Sequence, residues 1–246
     1  TYTCPETALT EQLCEAAAPL VPFSVIKAEE RGDTRVPVKQ AARLAKNDLR
    51  RRITENLPKD TPMTGDKGYK LSDVQNGSVS LADFTAQLNL TELEAISRGD
   101  YTMNSNLGVA GNAGAFGGVL ESLRQKGVPP VITTDGPSGI RLWSCCSLMP
   151  IGTLLACTFD EALVEEVFSA IGAEMLAKET DVLLAPGINI HRNPLCGRNF
   201  EYYSEDPLLT GKIAAAAVRG IQKNGVSACP KHFACNNQEF ARVQND

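Results

Sequence analysis

From about residue 99 onward, short apolar runs alternate with longer amphipathic stretches, and this alternation limits the fold more than any other feature of the sequence. The stretch that Asp160 opens and that runs to about Lys178 repeats its apolar side chains at helical spacing, at Leu163, Val167, Ile171 and Met175. Strand-like runs occupy residues 128–134, 181–190 and 226–233. Short strands separated by amphipathic helices are typical of βαβ units, so we expect an α/β fold built on a parallel sheet.

The segments between these runs agree with this interpretation. Asp206 followed by Pro207 is typical of a helix N-terminus, because the first turn leaves N–H groups unbonded and proline has none. This helix is predicted to end near Gly225, and an earlier one at Gly127. The glycine-rich run GVAGNAGAFGG at residues 108–118 is interpreted as a loop that leads into a helix.

The first part of the chain has a different character. Apolar side chains recur at every fourth position within residues 37–57, which predicts an amphipathic helix with a solvated basic face: Ala41, Ala45, Leu49, Ile53 and Leu57. Ser80 is the predicted N-cap of a second helix over residues 81–98. Prolines and glycines interrupt the helical pattern between residues 58 and 80, so we expect a domain boundary there.

Composition excludes several classes of function. The 246 residues carry a formal net charge of -5, which argues against binding to nucleic acid or to an anionic membrane surface. Every apolar stretch is shorter than the roughly 20 residues that span a bilayer, so a soluble protein with a neutral polar ligand is expected. The eight cysteines are expected to be free thiols, and both a cytoplasmic and a secreted location stay open because no signal peptide is evident.

A polar cluster follows each of the three predicted strands. The first cluster is Thr134-Asp135-Gly136-Pro137 with Arg141, the second runs from His191-Arg192 to Asp206, and the third runs from Lys231-His232 to Arg242. In parallel α/β folds the carboxyl ends of the strands meet at one edge of the sheet, where active sites are built. We therefore expect the three clusters to converge on one pocket.

These clusters closely resemble the motifs of glycoside hydrolase family 3, in the strings DGPSGIRL (135–142), APGINIHRNPLCGRNFEYYSEDP (185–207) and KHFACNNQE (231–239) followed by Arg242. The lead-in GYKLSDVQNGSVSLADFTAQLNLTELEAI (68–96) is similar to the subgroup in which an αβα sandwich domain precedes the catalytic (β/α)8 barrel. The resemblance implies that residues 1–65 are the tail of a preceding αβα-type domain, residues 66–98 a linker and lead-in helix, and residues 99–246 the first half of the barrel. A complete barrel takes about 250 residues, so only its N-terminal portion fits here.

The resemblance also implies roles for seven residues. Asp135 is expected to accept hydrogen bonds from hydroxyls of the nonreducing sugar, and Arg192, Lys231 and His232 to donate to other hydroxyls of the same sugar. Arg198, Glu201 and Arg242 are expected to brace this subsite from behind. A pyranose carries adjacent hydroxyls, so its selection takes several fixed donors and acceptors. Trp143 and the pair Tyr202-Tyr203 are equally well explained as packing residues and are not assigned to the site.

The implied reaction is hydrolysis, with retention, of β-linked glucose from the nonreducing end of a β-glucoside or short oligosaccharide. The family's nucleophilic aspartate lies in a Ser-Asp-Trp-like motif on a later strand, which does not occur here, and no acid/base glutamate can be assigned within residues 1–65. We therefore expect activity only with the remainder of the same polypeptide. The segment FACNNQE differs from the glycine-rich, histidine-containing segment of the family's N-acetylglucosaminidases, which favours a β-glucosidase, with a β-xylosidase as the alternative.

Other hypotheses fit parts of the sequence. Cys229, His232 and Cys235 have a spacing that suggests zinc, but Cys229 and His232 would point to opposite faces of a strand. The glycine run suggests a dinucleotide site, but its spacing is G-x-x-G-x-x-G and no clear strand precedes it. No metal and no cofactor are therefore expected. The alternative outside the enzymes is a non-catalytic sugar-binding fragment or an inactive fragment of a larger enzyme, because a half barrel exposes sheet edges that favour association. The sequence is also compatible with a homo-oligomer.

Overall fold

The computed structural model describes residues 24–32, 34–41, 53–57, 60, 62–233 and 236–239. The described residues fall into two compact units, one up to Asp60 and the other from Pro62 onward. The α/β class predicted from the sequence is confirmed in the second unit, which contains a sheet with helical connections.

The first unit contains an antiparallel hairpin of β1 (Ser24–Arg31) and β2 (Thr34–Ala41). Half-buried and exposed positions alternate along β2, the period of two that a strand requires. The helix predicted over residues 37–57 is therefore wrong at its start, because residues 37–41 pair with β1 and cross-strand pairing overrides the local helical spacing. Residues 53–55 are helical, whereas residues 42–52 lie outside the described residues.

The described part of the second unit opens with three short helices, α1 (Leu71–Gln75), α2 (Leu81–Ala86) and α3 (Leu90–Arg98). Ser80 caps α2 as predicted, since its side chain accepts a hydrogen bond from Asp83 N. The single helix predicted over residues 81–98 is wrong, because Asn89 starts a new helix by forming a capping box with Glu92. The apolar faces of these helices pack with the next segment in a small core of Phe84, Leu88, Ala95 and Leu123.

The sheet in the described residues has four strands in sequential order: β3 (Gly114–Gly117), β4 (Pro130–Asp135), β5 (Val182–Leu184) and β6 (Ser227–Ala228). β4, β5 and β6 run parallel, whereas β3 pairs antiparallel with β4. The sheet is therefore mixed, and the expectation of a wholly parallel sheet is wrong for β3. β3 lies within the glycine-rich run that was expected to be a loop. Glycine is depleted in strands, which is why the composition of this run favoured a loop. α4 (Glu121–Gln125) connects β3 to β4.

β5 and β6 are shorter than the apolar runs that predict them. Pro186 and Pro230 follow the two strands closely, and proline lacks the N–H that a strand ladder needs. Pairing resumes just beyond the first proline, because Lys231 N donates to Pro186 O at 2.8 Å and Ile188 N donates to Lys231 O at 2.6 Å. The segments that follow β5 and β6 therefore stay side by side.

Helices cross between the parallel strands. α5 (Gly152–Ala156) and α6 (Glu161–Ala177) lie between β4 and β5, and a 3-10 turn (Asn199–Glu201) and α7 (Pro207–Gln222) lie between β5 and β6. Asp160 and Asp206 cap α6 and α7 as predicted, by accepting from Leu163 N and Leu208 N.

The main core lies between α6, α7 and the sheet. Its fully buried members include Phe168, Met175, Leu183, Ile213 and Ile221. The buried face of α6 carries Val164 and Phe168 where the sequence predicted Leu163 and Val167, so the predicted face was turned by one residue there. In the described part of the chain, none of the helices combines the length and the apolar character needed to cross a membrane.

Candidate active site

Asp135 and Lys231 meet at the carboxyl edge of the parallel strands. Asp135 is the last residue of β4, and its Oδ1 forms an ion pair with Lys231 Nζ beyond β6. Its other oxygen, Oδ2, lies 3.4 Å from Arg141 Nη1. The Lys231 side chain is 15% exposed and that of Asp135 is 26% exposed, so both are sheltered but reachable. Together they offer a charged acceptor beside a charged donor, which suits a hydroxyl because a hydroxyl both donates and accepts.

A cavity of about 540 Å³ opens beside Asp135, within the range usual for small-molecule sites. Its wall consists of residues 135–141 and 146–148 together with Arg198, Phe200 and Glu201. The loop after β4 that lines this cavity needs glycine at two positions, because Gly136 and Gly139 have φ angles of +150° and +118°. A side chain at either glycine would overlap a backbone carbonyl oxygen, that of Gly139 or of Ser147.

Arg198 and Glu201 form an ion pair on the cavity wall, through Arg198 Nε and Glu201 Oε1. Burial by itself lowers the pKa of the Arg198 guanidinium, but the hydrogen bond and the charge of Glu201 outweigh it and the pKa is raised. Glu201 is only 6% exposed. Both members of the pair line the cavity, so its wall carries a cation that is held in place by an almost fully buried carboxylate.

His232 belongs to a hydrogen-bonded group next to Lys231. Its Nδ1 lies 2.9 Å from Tyr202 Oη, and Asn236 Nδ2 donates to the same hydroxyl at 2.6 Å. Burial lowers the pKa of His232, and the positive charges of Arg198 and Lys231 lower it further. The imidazole is therefore neutral at pH 7, with one donor and one acceptor nitrogen.

Arg192 lies on the exposed surface, where its Nε donates to Asn237 Oδ1 at 3.1 Å. This hydrogen bond ties the second polar cluster to the third, and the same oxygen also accepts from Asn189 Nδ2 at 3.3 Å. The structure thus joins Asp135 to Lys231 and links Arg192 to the segment after His232. Of the four predicted sugar-binding residues, Asp135 lines the cavity described above, whereas Arg192, Lys231 and His232 do not. Arg242, the remaining predicted site residue, lies outside the described residues.

Sequence reasoning missed the parts played by Tyr202, Asn236 and Asn237. The asparagines lie within the string KHFACNNQE, but amide side chains are common in any turn and carry no functional signal alone. Tyr202 and Tyr203 are 0% and 3% exposed, which fits the packing interpretation, whereas Trp143 is 75% exposed. No sequence feature indicated that the Tyr202 hydroxyl would reach His232.

The described residues also bear on the zinc and thiol expectations. Among the residues that the structure describes, no group of three or more His, Cys, Asp or Glu side chains could hold a metal ion. Cys235, part of the zinc hypothesis, lies outside the described residues. The described cysteines are free thiols: Cys145, Cys146, Cys157, Cys196 and Cys229.

Comparison with known proteins agrees with this geometry. Residues 114–241, more than half of the chain, match the model of the glycosyl hydrolase family 3 N terminal domain. The chain belongs to glycosyl hydrolase family 3. The resemblance inferred from the three motifs is thereby confirmed.

Relatives of this family 3 chain are β-glucosidases by name. A β-glucosidase of Ruminococcus albus is 44% identical over 245 residues, which cover 98% of this chain and 25% of that protein. A crystal structure of a β-glucosidase from Paenibacillus barengoltzii aligns with a TM-score of 0.80 and 51% identity, over 94% of this chain and 25% of that one. β-Glucosidase 3B from Thermotoga neapolitana, solved in complex with α-D-glucose, aligns with a TM-score of 0.51 and 46% identity, over 55% and 19% of the two chains. The family 3 chain thus spans about a quarter, or less, of the length of these relatives.

Proposed function

We propose that this chain is the N-terminal part of the (β/α)8 barrel of a retaining β-glucosidase and that it binds the nonreducing sugar of a β-glucoside. The observation that carries the proposal is the Asp135–Lys231 ion pair beside a cavity of about 540 Å³ at the carboxyl edge of the sheet. Relatives that are named β-glucosidase at 44–51% identity support the reaction, and the complex of one of them with α-D-glucose supports the ligand.

Four residues divide the binding of the sugar. Asp135 accepts hydrogen bonds from hydroxyls remote from the scissile bond, while Lys231, His232 and Arg192 donate to hydroxyls of the same ring. Behind them, Arg198 and Glu201 keep the wall of the cavity in shape, and Arg242 is assigned the same bracing role from the sequence motif alone. Hydrogen bonds to charged groups contribute about 1.5–3 kcal/mol each, enough for this set to select a pyranose.

Strand order supports the barrel. β4, β5 and β6 are parallel neighbours in sequence order, joined by helical crossovers as in the first units of a (β/α)8 barrel. The antiparallel β3 departs from the regular pattern and makes the first strand of this barrel irregular. Residues 1–65 then end a preceding αβα domain, residues 66–98 lead into the barrel, and residues 99–246 form its first half.

The nucleophile and the acid/base belong to the remainder of the polypeptide. Retaining hydrolysis needs two carboxyl groups about 5–5.5 Å apart on opposite sides of the bond. Among the described residues of the cavity wall, the carboxylates are Asp135, paired with Lys231 and Arg141, and Glu201, paired with Arg198. Both are engaged in holding cations, which suits binding and wall-forming roles better than attack on a sugar.

Hydrolysis of 4-nitrophenyl β-glucoside and β-xyloside by the full-length enzyme that carries this segment tests the proposal. Asp135→Asn should lower kcat/KM for the glucoside roughly a hundredfold, because hydrogen bonds to its charge contribute about 3 kcal/mol. Asp181→Asn is the matched control: Asp181 accepts from Ile132 N at 2.7 Å at the opposite end of the sheet, so activity should not change.

The two substrates separate the alternatives. A wild-type enzyme that prefers the xyloside would replace the β-glucosidase with the β-xylosidase of the same family. No hydrolysis of either glycoside by the full-length enzyme would overturn the proposed function, and an Asp135→Asn variant as active as the wild type would overturn the binding role of Asp135.

A further inference from the structure

Tyr202 lies at the centre of a hydrogen-bonded chain that ends at His232. Asn236 Nδ2 donates to Glu239 Oε1 at 3.1 Å and to Tyr202 Oη at 2.6 Å. The tyrosine oxygen in turn lies 2.9 Å from His232 Nδ1, and the two rings meet edge to face with centroids 6.0 Å apart. The Tyr202 side chain is fully buried, so water does not compete for its hydroxyl.

The direction of each hydrogen bond follows from the chemistry of its partners. The Glu239 carboxylate only accepts, so the Asn236 atom facing it is the amide nitrogen, whose second hydrogen goes to Tyr202 Oη. An amide nitrogen has no lone pair to offer, so the hydrogen of the Tyr202 hydroxyl has one acceptor among the described residues, His232 Nδ1. His232 Nδ1 is therefore unprotonated and the ring hydrogen resides on Nε2.

Tyr202 is itself held firmly. Its backbone oxygen accepts from Thr153 Oγ1 at 2.9 Å, and His191 Nε2 lies 3.1 Å from the same oxygen. Its ring lies against Gly187, where an added Cβ would be only 3.1 Å from Tyr202 Cδ1. A side chain anchored at both ends provides a fixed reference for the imidazole.

We propose that Tyr202 is a positioning residue that holds His232 as the neutral Nε2–H tautomer, so that Nε2–H is always available as a donor to a sugar hydroxyl. Nε2 has no hydrogen-bond partner among the described residues, which leaves it free for a ligand. The inference rests on the proposed function, in which His232 donates to the sugar. Without the Tyr202 hydroxyl the imidazole can also adopt the Nδ1–H form, which presents an acceptor where a donor is needed.

The pH dependence of Tyr202→Phe in the full-length enzyme distinguishes this role from a purely structural one. We expect kcat/KM for 4-nitrophenyl β-glucoside to fall about tenfold at pH 7.5, since one hydrogen bond fixes the tautomer. The deficit should shrink as the pH falls through the pKa of His232, because a protonated imidazole carries hydrogens on both nitrogens and regains Nε2–H. The charged groups that act on His232 are Arg198, Lys231, Glu201 and Glu239, all retained in the variant.

Tyr203→Phe is the matched control. Tyr203 is 3% exposed, and its hydroxyl has no hydrogen-bond partner among the described residues, so the same substitution one position along should leave activity unchanged across the same pH range. A Tyr202→Phe variant that equals the wild type, or one whose deficit does not shrink over the pH range in which the 15N signals of His232 show its protonation, would overturn the proposal.

The ring nitrogens of His232 provide a test that does not depend on activity. In 15N-histidine-labelled full-length enzyme, with the signal assigned through His232→Gln, we expect an unprotonated Nδ1 and a protonated Nε2 at pH 7.5. The reverse pattern would overturn the inference. A wild-type enzyme with this tautomer but without β-glucosidase activity would refute the proposed function and leave the tautomer assignment intact.

Discussion

At the scale of single residues, Glu92 shows how the fold accommodates a buried charge. Its side chain is 1% exposed, its Oε1 accepts from Lys126 Nζ at 2.8 Å, and its Oε2 accepts from Asn89 N at 3.1 Å. Burial by itself raises the pKa of Glu92, but the hydrogen bonds from Lys126 and Asn89 outweigh it and the pKa lies below its ordinary value. The carboxylate is therefore ionised in the folded unit.

Glu92→Gln should lower the free energy of unfolding by about 3 kcal/mol, because it leaves the 10% exposed Lys126 ammonium with Asp66 as its one charged partner among the described residues. The pKa of Glu92 in the folded protein is lower than its unfolded value near 4.5. The stabilisation is therefore complete at pH values above the unfolded pKa and is lost as the pH falls through the folded pKa. Denaturant unfolding of the full-length protein at pH 7 and pH 3 should show the difference at pH 7 and a smaller one at pH 3. Glu94→Gln, which removes an exposed partner of Arg98 on the same helix, is the control and should change little. Equal losses from the two variants would contradict a special role for the buried pair.

At the scale of elements, α6 and α7 approach so closely that a glycine is needed between them. A Cβ on Gly220 of α7 would overlap the Glu165 carbonyl oxygen of α6 and lie 2.9 Å from Phe168 Cβ. Gly220→Ala should therefore destabilise the protein by about 1–3 kcal/mol. Gly211→Ala on the same helix meets nothing within 4 Å and should stabilise it by about 0.5–1 kcal/mol, because alanine has the higher helix propensity. Opposite signs in denaturant unfolding would support this packing, and two stabilising substitutions would refute it.

The elements also show what sequence patterns can and cannot predict. The starts of α2, α6 and α7 were predictable, because a capping side chain needs only its own next three residues. β2 and β3 were not predictable, because each strand depends on pairing with another strand. The helical spacing in β2 and the glycine-rich composition around β3 do not indicate that pairing. The positions at which β5 and β6 end could have been predicted from Pro186 and Pro230, because proline lacks the N–H that a strand ladder needs.

At the scale of the whole molecule, the site depends on which segments the sheet brings together. The meeting of Asp135 with Lys231 was predictable, because parallel strands place their carboxyl ends at one edge. The Tyr202–His232 and Arg192–Asn237 contacts were not, since they depend on loop paths and rotamers that only tertiary packing determines. Motif resemblance therefore assigned roles to residues whose actual neighbours the sequence did not reveal.

The proposed division of the site between this segment and the rest of the enzyme leads to a prediction for the chain by itself. It should not hydrolyse 4-nitrophenyl β-glucoside, because the carboxylates on the described cavity wall, Asp135 and Glu201, are both ion-paired. Supplying the remainder of the polypeptide should restore turnover, because that part is proposed to contain the catalytic carboxyl pair and the barrel strand that pairs with the edge of β6. Release of 4-nitrophenol, measured beside the intact mass of the chain, checks both statements. Turnover by the chain alone would mean that a carboxylate such as Glu201, Glu205 or Asp206 acts as the nucleophile, and the proposed division of the site would then be wrong.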